Sequence, residues 1–134
     1  MLPKINFNGE FIFTTKINVR ILDLNMGCHL SNDKVLNYLT EVCEQFLRHR
    51  NLSLNNVDNH TLAVAASYVR FKKEVFYPET LSIQMGIMEI KKTRIYFYYE
   101  LKNKKGDLTH QAVKEMALLH NETGKVGRVD QYFG

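Results

Sequence analysis

The chain has few cysteines. Cys28 and Cys43 are the only two, and neither sits in a metal-binding spacing. Two thiols without a secretory leader exclude a disulfide framework and read as reduced residues of a cytoplasmic protein. No apolar run is long enough to span a bilayer as a helix, so no membrane partner is expected. Met1-Leu2-Pro3-Lys4 lacks the charged-then-apolar pattern of an export signal. Repeats, low-complexity tracts and linkers are also missing, so the 134 residues read as one domain, 1–134. Basic excess is small. The net charge is +4, and much of it falls around Lys102, Lys104 and Lys105 at a hairpin tip. With no Arg-rich helix, and with the aromatics gathered in one strand, nucleic acid is not an expected partner. A phosphorylated small molecule suits the mild positive balance. No metal and no resident cofactor are expected.

The hydrophobic pattern comes next. Residues 11–22 alternate, with Phe11, Phe13, Ile17, Val19 and Ile21 facing one way and Thr14, Lys16, Asn18 and Arg20 the other. That is the signature of a half-buried strand. Ser31 or Asn32 can cap a helix, with Asp33 favourable in its first turn. Val35, Leu36, Leu39, Val42, Cys43, Phe46 and Leu47 then form one apolar stripe running to about Arg50. Cys43 on that stripe reads as a small buried hydrophobe. The Asn-rich stretch 51–60 reads as a loop. Strands follow at 62–72, 81–90, 94–101 and 109–120, broken at Pro78-Glu79 and turned at Gly106. One long helix against an antiparallel sheet is an α+β architecture. A single helix covers one face only, so another subunit is expected on the outer face or at an edge, with the aromatic strand at 96–99 as the edge.

The strand-to-helix junction concentrates the chemistry. Asp23, Asn25, His29 and Asn32 crowd a corner beside a helix N-terminus, whose outward N–H groups can stabilise a polarised carbonyl or an oxyanion. His29 is the one group there suited to moving a proton near neutral pH. On the same residues, structural roles compete: His29 bracing the turn, Asp23 fixing the corner through backbone N–H groups, and Asn32 capping the helix.

The element order and the corner together resemble the hotdog-fold thioesterases. The likeness is to the 4-hydroxybenzoyl-CoA thioesterase type, with short bacterial acyl-CoA thioesterases and plant acyl-ACP thioesterases. Their pattern is Arg-x-x-Asp-x-Asp, three residues, His-Val-Asn-Asn, then a helix carrying a Glu. Arg20, Asp23, Asn25, His29, Leu30, Ser31 and Asn32 fall on this frame without a gap, and Glu41 falls on the helix acid. Asn121-Glu122-Thr123-Gly124-Lys125 is similar to the family's Asp-x-x-Thr-Gly-Lys turn. The resemblance spans about residues 11–130. It implies a hotdog fold, one long central helix wrapped by an antiparallel sheet of about five strands. It also implies a homodimer or tetramer that hydrolyses an acyl thioester of coenzyme A or of acyl-carrier protein, with coenzyme A present only as part of the substrate.

The departures from the pattern shape the chemistry. The carboxylate that the resemblance implies is catalytic is replaced by Asn25, and an amide is neither a general base nor a carboxylate nucleophile. The Gly that normally precedes His stands one place early, at Gly27, with Cys28 next to His29. In the plant branch the place of Gly27 holds a catalytic Asn. The resemblance therefore implies catalytic roles for Asn25, His29 and Glu41, the last from a partner subunit. Substrate contacts are expected at Asp23, Gly27, Cys28, Asn32 and Arg70, with Lys72, Lys73 and Arg94 as further cations that could meet phosphates. Loss of the carboxylate keeps open a binding protein without turnover. A hotdog hydratase ranks last, since its Asp-x-Asn-Pro-x-His pattern is broken by the missing Pro and by His29 lying one residue too far.

Overall fold

The computed structural model describes residues 4–133. Its elements are β1 (Phe11–Asn18), a 3-10 turn (Ile21–Asp23), α1 (Asn32–His49), β2 (His60–Phe71), β3 (Thr80–Ile90), β4 (Ile95–Lys102), β5 (Leu108–His120) and α2 (Asp130–Phe133). The five strands form one antiparallel sheet in the order β1-β3-β4-β5-β2. One long helix on a five-stranded antiparallel sheet is the α+β hotdog arrangement expected from the sequence.

Strand alternation explains the core. Leu81, Ile83 and Met85 of β3, Phe97, Tyr99 and Leu101 of β4, and Ala112, Met116 and Leu118 of β5 share one face. They bury the α1 stripe of Val35, Leu39, Val42, Cys43, Phe46 and Leu47. Burying each large apolar side chain in that cluster contributes about 1.5–3 kcal/mol, so the helix is held by packing rather than by propensity. Tyr38, which the stripe left out, is buried as well. Leu36 lies at the margin of the stripe and stays partly exposed.

The opposite face of the sheet is partly covered by the chain itself. Phe7 stacks on Tyr98 with ring centroids 4.6 Å apart. Gly86 lies beneath the Phe7 ring, where any Cβ would collide with it, so glycine is what allows the close approach. Part of this face is therefore closed within one chain.

Two further expectations are corrected. β1 ends at Asn18, not at residue 22, because the chain turns into the 3-10 element. Arg20 and Asp23 close that turn on each other, and Ile21 and Leu22 are left exposed. The aromatic strand is no edge: β4 lies between β3 and β5, and the edges are β1 and β2. The Asn-rich loop stands as expected. Asn51, Asp58 and Asn59 adopt positive φ there, which Asn and Asp tolerate best among residues with a side chain.

Candidate active site

Backbone bonds build the corner. Asn25 N–H donates to the His29 carbonyl (2.9 Å), and Ser31 N–H donates to the Asp23 carbonyl (3.0 Å). Leu30 N–H donates to the Val75 carbonyl at 2.7 Å, which ties the corner to the segment after β2. Asn25 Oδ1 accepts from Gly27 N–H at 2.9 Å, an Asx-type brace inside the turn. Gly27 has little room for a side chain, since an added Cβ would approach His29 Cδ2 to 3.2 Å. Cys28 is exposed and takes φ +64°, a left-handed conformation that favours glycine. The displaced glycine thus leaves a cysteine at the position with the strained backbone.

His29 is held on two sides. Its Nδ1 lies 3.3 Å from the Leu30 carbonyl. A carbonyl only accepts, so that contact assigns the proton to Nδ1 and leaves Nε2 with its lone pair. Asn25 Nδ2 is 3.2 Å from Nε2 and 3.4 Å from Nδ1. The two ring nitrogens flank one carbon, so an amide nearly equidistant from both lies over the ring face, not in its plane. Asn25 therefore steadies the imidazole without capping Nε2 in-line. Phe76 meets the ring edge-on with centroids 6.1 Å apart, and Glu74 Oε1 stands 3.9 Å from Nε2.

His29 opens onto a cleft of about 280 Å³ lined by Leu30, Asn32, Phe71, Lys72, Lys73, Glu74, Val75 and His110. Asn32 belongs to this cleft and is the first residue of α1; Ser31 is the N-cap, so the expectation that Asn32 caps the helix is corrected. The N–H groups near Cys28 are not the open ones. Cys28 N–H is closed on the Asn25 carbonyl at 3.0 Å, and the helix begins three residues after His29. The first turn of α1 at Asn32 takes over as the edge of positive potential.

Asp23 lies behind the corner, buried, and points away from His29. Its carboxylate accepts from Arg20 N, Nε and Nη2, each at 3.2 Å, and from Tyr38 Oη at 2.6 Å. Burial pushes its pKa up, but these hydrogen bonds outweigh burial and hold it below the usual carboxylate range. Burial and the Asp23 carboxylate push the Tyr38 hydroxyl far up, so it stays a donor. In this chain Asp23 is a structural ion that sets the corner.

Two expected site residues lie elsewhere. Arg70 pairs in register with Gln111, and opposed residues of an antiparallel pair share a face. Gln111 contacts Ile5 and Tyr98 on the sheet face away from α1, so Arg70 is directed away from the cleft, whose lining cations are Lys72 and Lys73, the latter paired with Asp107 at 2.9 Å. Glu41 is exposed, accepts from Gln45 Nε2 at 2.7 Å, and borders a separate surface cleft with Lys16, Arg20, Asp23 and Tyr38. Within one subunit it does not meet His29. Arg94 is engaged with Glu115 at 3.1 Å.

His110 was not anticipated. It is buried in the same cleft, and Nδ1–H donates to Thr109 Oγ1 (2.8 Å), whose hydroxyl donates to the Leu101 carbonyl (3.1 Å). Burial pushes its pKa down to about 4, so it is a neutral imidazole at physiological pH. The signal was present in the sequence: His110 occupies the same strand parity as Ala112, Met116 and Leu118. Among the described residues no group of three His, Cys, Asp or Glu side chains could hold a metal ion, and no helix is long and apolar enough to cross a membrane.

The fold is that of the hotdog proteins. The family model of the thioesterase-like superfamily matches residues 19–132, and the chain belongs to that superfamily. Among solved structures, the chain is similar to a DHNA-CoA thioesterase from Staphylococcus aureus. The TM-score is 0.80 at 21% identity, over 90% of this chain and 82% of that one. A 1,4-dihydroxy-2-naphthoyl-CoA thioesterase from Synechocystis gives TM-score 0.80 at 20% identity, over 89% and 90%. A Staphylococcus aureus protein in complex with CoA gives 0.80 at 16%, over 93% and 80%. At these identities the likeness is one of fold. No curated protein matches the chain.

Proposed function

We propose that this protein hydrolyses an acyl thioester of coenzyme A, with His29 as the group that activates water. The observation that carries this reading is the fixed imidazole: Nδ1–H is engaged with the Leu30 carbonyl, and Nε2 keeps its lone pair at the edge of a cleft. Water gives its proton to Nε2 as its oxygen bonds to the acyl carbon. The carbon–sulfur bond then breaks, and the departing thiolate takes the proton back, leaving carboxylic acid and free thiol. Asn25 holds the ring, and the N-terminal turn of α1 at Asn32 favours the negative charge that develops on the carbonyl oxygen. Lys72 at the rim is suited to a phosphate of coenzyme A, while Lys73 is paired with Asp107 at 2.9 Å. Acyl-carrier protein is the other thiol carrier this rim can serve.

The working unit is a homodimer, formed along β2. That edge strand is twelve residues long, and Val64, Ala65 and Ala66 at its middle are exposed, small and apolar, the kind of edge that pairs with another strand. Leu22 and Met26 project from the corner almost fully exposed, which suits cover by a partner. Pairing of two dimers into a tetramer remains within the same proposal, and a cytoplasmic site fits the reduced Cys28 and Cys43.

A second reading is favoured by one observation. Asn25 supplies an amide, with its oxygen committed to Gly27 N–H, where a carboxylate would complete the usual site. A chain that binds acyl thioesters without cleaving them would look the same at this position. Thiol release over a panel of acyl- and aroyl-CoAs separates the two. Hydrolysis predicts release above background that falls about 10²–10⁴-fold in His29→Ala. Tight binding with no release on any thioester supports the binding protein instead.

A further inference from the structure

The seam between α1 and β5 holds a second charged group. Lys114 lies on the helix-facing side of β5, in line with Ala112 and Met116, and is 4% exposed. Its Nζ donates to Thr40 Oγ1 at 3.2 Å, and the Thr40 hydroxyl donates onward to the Leu36 carbonyl at 3.1 Å. An ammonium carries three donors, so one hydroxyl does not saturate it. Among the described residues no carboxylate lies within 4.0 Å of it. The nearby polar groups include the Cys43 thiol and the hydroxyl of Ser67, which stands opposite Lys114 on the same sheet face. Tyr99 is wholly buried and lies against Cys43 without a hydrogen bond of normal geometry. Burial pushes the Lys114 ammonium below the usual lysine range and the Cys43 thiol up to about 11. A cation in such surroundings is costly unless something anionic joins it.

The position of Lys114 relative to His29 says what that could be. Asn32 and His110 line the cleft where His29 opens. From Asn32, two further turns along the same side of α1 reach Leu36 and then Thr40, a path of about 12 Å. From His110, two alternations along β5 reach Ala112 and then Lys114, a path of about 13 Å. Both paths end at the Lys114–Thr40 contact. Leu36 and Ala112 lie along the way, and Val64 of β2, opposite Met116, is half exposed at the margin. The seam therefore has a proton-accepting imidazole at one end, apolar side chains along it, and an uncompensated cation at the other.

We propose that Lys114 sets substrate choice by binding an anionic oxygen at the far end of the acyl group, while the thioester carbonyl lies against His29. The substrates so selected are acyl thioesters ending in a carboxylate. This rests on the thioester reading of the cleft. Lys114 is remote from the reacting carbonyl, so its contribution is to binding and appears in KM rather than kcat.

Calorimetry with non-hydrolysable thioether analogues of acyl-CoA tests it. ω-Carboxyacyl analogues of increasing length are compared with methyl-ended analogues of the same length. Wild type is expected to favour the carboxylate-ended member by roughly 10–100-fold at its best length, the size of one hydrogen bond to a charged group. Lys114→Met should reduce that ratio to about one while methyl-ended analogues bind no worse, and Lys114→Arg should restore part of it. A thermal melt shows that each variant is folded. Equal ratios in wild type and Lys114→Met, or a wild type that prefers methyl ends at every length, overturns the role of Lys114 and leaves the thioester reading standing. Failure of wild type to bind either series or coenzyme A itself overturns both.

Discussion

Asp23 at the corner and Lys114 in the α1–β5 seam are both buried ions, and the chain treats them in opposite ways. Asp23 receives four hydrogen bonds, three from Arg20 and one from Tyr38. Lys114 has a single hydroxyl. His110, buried in the cleft beside His29, takes a third course and stays uncharged. A charge that carries its own counter-ion holds a loop in place. A charge left without one costs stability and keeps its capacity for a ligand. The corner is thus held in place beside His29, whereas the seam keeps a cation that donates to one hydroxyl.

The largest expected effect follows from removing the satisfied ion. Asp23→Ala leaves the buried Tyr38 hydroxyl without its acceptor, while the exposed Arg20 guanidinium turns to water, and should cost about 3 kcal/mol in urea unfolding. Tyr38→Phe removes only one hydrogen bond to a charged group and should cost about 1.5–3 kcal/mol. A loss below about 0.5 kcal/mol in Asp23→Ala, the range of ordinary surface substitutions, would erase the contrast with Lys114.

Much of this was legible from residue patterns, and the misses have physical causes. The α1 stripe located the helix side of the core correctly, because burial imposes that period on the sequence. The corner frame placed Asn25, Gly27 and His29 together. Strand order was not legible: the aromatic run at 96–99 reads alike in an edge strand and in the middle of a sheet covered on both faces by α1 and Phe7. The Asp23–Tyr38 bond joins residues fifteen apart on different elements, and no local pattern signals it. Arg70 was misjudged because its face depends on register against Gln111, which a single strand does not reveal. Lys114 could have been found, as the one charge at the inward parity of β5.

The neutral course taken by His110 can be tested next. Its folded pKa of about 4 lies below the ordinary histidine value of 6.5, so as pH falls through that window the unfolded chain takes up a proton that the folded chain refuses. Stability should be intact above about pH 6.5 and decline toward pH 4, by up to about 3 kcal/mol from this group. His110→Phe should flatten that part of the pH profile. An unchanged profile would mean that His110 is not held neutral.

Lys114→Met should act in the direction opposite to Asp23→Ala. Replacing an uncompensated buried cation with an apolar side chain should raise stability by about 1–3 kcal/mol. Destabilisation instead would show that the fold satisfies Lys114 and would remove the basis of the comparison. The smallest effect is expected at Cys28, where glycine relieves the left-handed backbone but adds freedom to the unfolded chain. Cys28→Gly should gain at most about 1 kcal/mol in the same unfolding assay.

The position of a bound thioester tests the account most directly. A crystal structure with a non-hydrolysable acyl-CoA thioether should place the sulfur and adjoining carbon in the cleft between His29 Nε2 and Asn32, with the acyl group directed along α1 toward Thr40. A sulfur bound instead in the separate cleft bordered by Arg20 and Glu41 of the same subunit, away from His29, would contradict it.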